Sequence, residues 1–258
     1  MKKFVKIIAL VVVMVTAAVC LLGCGGKESA VDKIKKAGKL TMLTEPGFAP
    51  YEYLGADGKV VGVDVEICQK VADKLGVELE VVSMDFDGIV AAVQSGKGDL
   101  GAAGMSVTDE RKQAVDFSKN YVDSGLYFVV KKGAEMPTED TMANFSVGVQ
   151  LGTTSDIFMS DTDADVQRFK TVPDSIIALQ TGKIDAVMCD QMPAQSAVNN
   201  NSDIEMSADA FTTEQYAIAI AKGNDDLMEV VNSVLDEMLA SGEIDKLISE
   251  HMELAKQA

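Results

Sequence analysis

Apolar positions along the chain alternate between short continuous runs, which predict strands, and longer stretches at helical spacing. Ile67, Val71 and Leu75 recur at i, i+4 and i+8 with Cys68 and Ala72 beside them, so a helix there lays one stripe on a sheet. Asp64 is placed to cap its start. The same order of elements occurs twice. Residues 93–99, Val-Gln-Ser-Gly-Lys-Gly-Asp, match 179–185, Leu-Gln-Thr-Gly-Lys-Ile-Asp, each after Ile and Ala at helical spacing and before a small apolar strand. Gly96 and Gly182 read as helix ends. Upstream, the run at 40–44 pairs in character with 146–149, and 79–84 with 166–172. Each copy is strand, helix, strand, helix, strand. Such alternation implies parallel strands with right-handed crossovers, and two copies imply two α/β lobes.

Two further apolar segments, 126–130 and 216–221, each end in Lys and Gly, and 225–240 and 243–252 follow with helical spacing. Crossing strands at 127–130 and 217–220 then form a two-stranded hinge. The first lobe takes 38–126 and 221–258, the second 131–216.

The start of the chain has a different character. Lys2, Lys3 and Lys6 precede an unbroken apolar run, 7–22, that stops at Leu21-Leu22-Gly23-Cys24. This is the pattern of a signal peptide, 1–23, rather than of a membrane span. Its ending resembles a lipobox, which implies a lipid on Cys24 and an extracytoplasmic protein anchored to the cell membrane. Residues 24–37 then read as the lipidated cysteine and a tether leading into the first lobe.

The formal charge is −17 for the whole chain, and −20 once the three leader lysines are removed. Such acidity suits a soluble exported protein and argues against nucleic acid as partner. Trp is absent, so the cores must rest on aliphatic residues. Beyond Cys20 and Cys24 stand Cys68 and Cys189, which could pair in an oxidising compartment but, falling in a helix of one lobe and a strand of the other, read rather as free thiols. No metal-ligand spacing occurs and no cofactor is expected.

Candidate chemistry centres on 104–117, GMSVTDERKQAVDF, which follows a Gly- and Ala-rich strand at 99–103. Ser106, Thr108 and Asp109 are good caps, and Arg111 lies one turn past two hydroxyls and a strand-end glycine, Gly104. A guanidinium with hydroxyls beside it suits a carboxylate, because its fork donates two parallel hydrogen bonds. From this stretch alone a capped surface helix with a solvated arginine is the reading to prefer, and only the rest of the chain reverses it. In the repeat, Gly104 stands five residues beyond Asp99 and Asp190 five beyond Asp185. Ligands of open α/β sheets bind beyond the carboxyl ends of the strands, so these positions face each other across a cleft. Asp190 reads either as an acid for an ammonium or as a helix cap. Gly152-Thr153-Thr154-Ser155 opens a short helix whose N–H groups attract anions, although no P-loop lysine follows.

GMSVTDER followed by Asp-Phe-Ser, together with Gly-Val-Asp-Val-Glu-Ile at 62–67, resembles the extracellular solute-binding proteins of family 3, polar amino-acid receptors of ABC importers. The similarity runs from about residue 38 to the C-terminus. It implies a type II periplasmic-binding-protein fold that closes about its ligand, and a monomer that hands a free amino acid to an ABC permease without catalysis. Carried over residue by residue, it implies Arg111 and Thr154 for the ligand carboxylate. Asp190, the Gly104 carbonyl and the Ser106 hydroxyl serve the ammonium. Phe48 and Phe86 are opposite walls, with Glu45, Gln150 and Cys189 near the ligand side chain. Pro46-Gly47 and Ala49-Pro50 present Phe48 on a loop tip. Glu45 either faces the ligand, favouring an amide, guanidinium or ammonium group, or merely caps that turn and points to water. Val63, after Gly62, replaces an aromatic usual in the family and reads as a core change. Two other classes share the fold: a cyclohexadienyl-dehydratase-like enzyme, in which Glu45 or Asp190 is a general acid, and a detached sensor domain.

Overall fold

The computed structural model describes residues 28–257. The expected signal peptide and the Cys24 lipidation site lie outside them. Part of the expected tether is not a tether: Ala30–Ala37 forms helix α1, whose Ser29 cap accepts from the Asp32 N–H and whose Ile34 is buried. Gly38 closes it at φ 74°. The Val31 N–H reaches the Asp226 carboxylate at 2.8 Å, fixing this helix to the C-terminal part of the chain.

The first copy of the repeat is β1 (Lys39–Thr44), α2 (Val63–Leu75), β5 (Glu78–Ser83), α3 (Ile89–Gln94) and β6 (Leu100–Gly101). Between β1 and α2 a small antiparallel sheet is inserted, made of β2 (Gly47–Phe48), β3 (Glu52–Leu54) and β4 (Val60–Val61). Phe48 thus belongs to a short strand, not to a loop tip. α2 buries Val63, Ile67, Cys68, Val71, Ala72 and Leu75 as its spacing requires. Its cap is Gly62; Asp64 instead lies fully buried in the first turn with its carboxylate used elsewhere.

After β6 come α4 (Asp109–Ala114), β7 (Val115–Phe117), β8 (Val122–Ser124) and β9 (Leu126–Lys131). The second copy is β10 (Ser146–Gln150), α5 (Thr154–Ser160), β11 (Asp165–Phe169), α6 (Val172–Gln180) and β12 (Ala186–Asp190). α7 (Gln191–Asn200), β13 (Ile204–Met206), β14 (Glu214–Tyr216), β15 (Ala219–Ala221), α8 (Asp225–Ser241) and α9 (Glu243–Leu254) complete the chain.

Two five-stranded sheets result, ordered β5-β1-β6-β15-β7 and β11-β10-β12-β9-β13. The three strands of each copy run parallel and occupy matching places. The repeated aspartates do one job in both: Asp99 accepts from the Thr41 N–H at 2.7 Å and Asp185 from the Ser146 N–H at 2.9 Å. α8 and α9 pack on α2, so the C-terminal helices belong to the first lobe. Cys68 and Cys189 are both buried free thiols.

Most of the length expected at the hinge lies inside the sheets, with 217–218 linking β14 to β15. Residues 127–130 fall within β9, antiparallel to β12 and β13, and β15 lies between β6 and β7. The strand pair outside both sheets is β8 with β14, antiparallel, with Val122 opposite Tyr216. The physical reason is burial. Leu126, Phe128, Val129 and Val130 are fully buried and need a sheet interior, whereas the crossing pair sets exposed Asp123 and Gln215 beside the buried Tyr216.

Candidate functional site

The carboxyl ends of β1, β6, β10 and β12 converge on a small cavity between the lobes, lined by Phe48, Phe86, Gly104, Ser106, Arg111, Thr153, Thr154 and Asp190. Seven of the ten expected site residues are thereby brought together. Glu45 and Gln150 lie at one side, joined to each other across the cleft. Cys189 is not brought there: its side chain shares an apolar cluster with Val187 and Ile204.

Arg111 is placed by α4. Thr108 caps that helix, accepting from the Arg111 N–H at 3.1 Å. The side chain is only 8 % exposed, so the solvated alternative is excluded. Its guanidinium stacks 5.2 Å from the Phe86 ring centroid and donates to the Ser106 carbonyl at 2.5 Å. It also crosses to the second lobe, donating to the Gly152 carbonyl at 3.0 Å. Burial holds its pKa below the ordinary arginine value, against the favourable charges of Asp190, Glu214 and Glu110. Two backbone carbonyls leave a five-donor fork with capacity for an anion.

The loop opposite depends on Gly104. It has φ +50°, and a Cβ there would stand 2.4 Å from the Phe48 ring. Only a glycine lets the wall close on the backbone. Its N–H is held by the Asp64 carboxylate at 2.9 Å, whose other oxygen accepts from the Tyr121 hydroxyl at 2.7 Å. Burial lifts the Asp64 pKa to about 6 although both donors oppose it. The fully buried Glu52 beside it is pushed well above the carboxylate range, by burial first and the Asp64 charge second.

From the second lobe, Asp190 ends β12 and precedes α7, the N-cap position, yet its carboxylate caps nothing. It is 4 % exposed and accepts from the Tyr216 hydroxyl at 2.6 Å. Burial raises its pKa to about 7, against the donation from Tyr216 and the charge of Arg111. Thr154 opens α5, whose cap is Thr153. The Glu45 carboxyl is 5 % exposed and accepts from the Gln150 amide at 2.8 Å. Burial brings its pKa to about 7, with Gln150 and the Gly47 backbone opposing. The carboxyl lies against the Pro46-Gly47 turn, but it is buried and does not point to water. Lys170 and Asp85, 2.7 Å apart, make a further, exposed contact between the lobes.

Asp64, Tyr121 and Tyr216 are the site residues that sequence reasoning missed. Asp64 carried a signal, because it extends the stripe of Ile67, Val71 and Leu75 back by one turn and so had to be buried. Tyr216 carried none: it is one apolar residue in an apolar run.

Among the described residues no cluster of three metal-type side chains occurs, and no helix is long and apolar enough to cross a membrane.

Comparison with known proteins follows the same lines. The sequence model of the bacterial extracellular solute-binding proteins, family 3, matches residues 40–253. The L-cystine-binding protein TcyJ of Escherichia coli (strain K12) is 33 % identical over 225 residues, 85 % of each chain. The arginine-binding extracellular protein ArtP of Bacillus subtilis (strain 168) is 32 % identical over 254 residues, 96 % of each. The amino-acid ABC transporter substrate-binding protein AbpA of Streptococcus pneumoniae, solved bound to L-arginine, superimposes with a TM-score of 0.84 at 35 % identity, covering 87 % of this chain and 98 % of that one.

Proposed function

The chain belongs to the bacterial extracellular solute-binding proteins, family 3, and from that premise we propose that it captures a polar amino acid between its lobes and delivers it to an ABC permease. The observation that carries this reading is a buried guanidinium from one lobe and a buried carboxylate from the other, Arg111 and Asp190, lining one small cavity. A free amino acid needs a partner for an anion and for a cation on adjacent bonds, and this pair supplies both. Arg111 and Thr154 take the ligand carboxylate. Asp190, the Gly104 carbonyl and the Ser106 hydroxyl take the ammonium, between Phe48 and Phe86.

The side chain runs toward Glu45 and Gln150. A buried carboxyl that becomes charged requires a donor or a cation, so a guanidinium, ammonium or amide is favoured. Arginine, as bound by AbpA and named for ArtP, is the leading candidate. A second carboxylate has no partner there, and acidic amino acids are rejected. Closure swings about β8 and β14. Lipid on Cys24 holds a monomeric receptor at the membrane; Cys24→Ser should move it from the membrane to the soluble fraction.

A thermal-shift screen against the twenty amino acids with ornithine, citrulline and cystine tests the reading. A ligand at about 100 times its Kd stabilises by roughly 2.7 kcal/mol, and no shift with any of them refutes it.

A further inference from the structure

Tyr216 joins the crossing strands to the cavity. Its hydroxyl donates to Asp190 Oδ1 at 2.6 Å and lies 3.2 Å from the Ser124 hydroxyl on the opposing crossing strand β8. Its ring is fully buried, edge-on to Tyr51 at 5.1 Å between centroids and flanked by Phe48 at 6.3 Å and Tyr121 at 6.4 Å. The backbone is fixed as firmly. Tyr216 pairs with Val122, accepts from the Tyr121 N–H at 2.9 Å, and forms a bridge with Ser106. One residue of the crossing therefore touches an aromatic wall, the loop of the first lobe and the acid of the second.

We propose that Tyr216 is a positioning residue for ligand capture: its hydroxyl holds the Asp190 carboxylate as the partner of the ligand ammonium and ties that charge to the hinge. The inference rests on the reading of Asp190 as the ammonium contact. Asp190 has no capping bond to α7, so the tyrosine hydroxyl is its side-chain anchor. A Tyr216→Phe change keeps the packed ring and removes only that donor.

The consequence is a change in pH dependence, not only in affinity. The groups around Asp190 are Arg111 on α4, Glu214 and Tyr216 on β14, Cys189 on its own strand, and Tyr51 and Glu52 from the small inserted sheet and its turn. Arg111 and the Tyr216 hydroxyl favour its charged form; burial, which dominates, and Glu214 oppose it. Loss of the hydroxyl removes a favourable contribution, so Asp190 stays protonated to higher pH and meets an ammonium less well.

The test titrates L-arginine, and L-glutamine and L-histidine beside it, into the parent, Tyr216→Phe, Asp190→Asn and the double variant by calorimetry from pH 6 to 8.5. In Tyr216→Phe the acid limb of affinity should move up by about one pH unit, a loss of roughly fivefold at pH 7 that approaches tenfold at pH 6 and shrinks as pH rises. In the Asp190→Asn background the same change should cost little more. A loss equal at every pH, or a full loss in the Asp190→Asn background, overturns the proposal. Should Tyr216→Phe not fold, Ser124→Ala, which removes the hydroxyl behind the tyrosine, should shift the limb in the same direction by less; no shift overturns it. If the parent binds none of the three amino acids, the ligand reading itself falls. If the parent binds and Asp190→Asn alone weakens binding, only the role of Tyr216 falls.

Discussion

Glu45→Gln separates the charge of the side-chain pocket from its shape. In the parent, burial brings the Glu45 pKa to about 7. A ligand cation needs the ionised form, so below that pH each unit costs about one proton's work, 1.36 kcal/mol or tenfold in affinity. At pH 5 the loss reaches about 100-fold, ~2.7 kcal/mol, relative to pH well above 7. A neutral amide side chain can hydrogen-bond to either form and escapes this loss. Asp190, also raised to about 7, imposes its own acid limb, but on every amino acid alike. The ratio of arginine to glutamine affinity therefore isolates Glu45. Calorimetric titrations of both ligands from pH 5 to 8 should show this ratio rising with pH in the parent and flat in Glu45→Gln. At pH 8 the variant should lose arginine by roughly thirty-fold or more, the ~2 to 5 kcal/mol of a truncated buried charge pair. The Gln150 amide that now donates to Glu45 at 2.8 Å can bond the new glutamine, so glutamine binding should survive. A pH-independent ratio in the parent, or an unchanged rank order in the variant, removes Glu45 from the pocket.

Two further outcomes follow. Gly104→Ala places a Cβ 2.4 Å from the Phe48 ring at φ +50°; it should destabilise the fold by about 1 to 3 kcal/mol and abolish ligand-induced thermal shifts, and a variant with parental melting and binding refutes the packing argument. Unliganded stability should fall as pH rises from about 5 to 8, because raised folded-state pKa values at Glu45, Asp64 and Asp190 mean that the native state keeps protons the unfolded chain has released; urea melts showing greater stability at pH 8 contradict those buried acids.

The fold was legible because it is written twice. The Gln-Ser-Gly-Lys-Gly-Asp and Gln-Thr-Gly-Lys-Ile-Asp segments mark the same helix end and strand start in both lobes, and Asp99 and Asp185 hold the same backbone position. The hinge was misread because periodicity reports burial: Asp123 and Gln215, exposed on the strands that cross, carry no apolar signal, and the buried Tyr216 was read with the apolar run that follows it. An apolar run such as 126–130 draws attention but belongs to a sheet. Arg111, Gly104, Asp190 and Thr154 were legible from strand ends and from the family resemblance. Tyr216 and Tyr121 were not, since their hydroxyls meet acids from β12 and α2, far away in sequence. Cys189 was misplaced for a smaller reason: neighbouring strand residues face opposite sides, so Asp190 in the cavity leaves Cys189 in the core.

The most direct test is calorimetry of Arg111→Ala with the amino acid that most stabilises the parent. Arg111 is a buried cation lining the cavity, and loss of one partner of a desolvated charge pair costs ~2 to 5 kcal/mol. The parent should bind one ligand per chain, Arg111→Ala should bind about thirty-fold or more weakly, and Arg111→Lys should recover only part, because a point charge lacks the fork. Arg111→Ala binding as tightly as the parent would contradict capture of an amino acid through its carboxylate in this cleft.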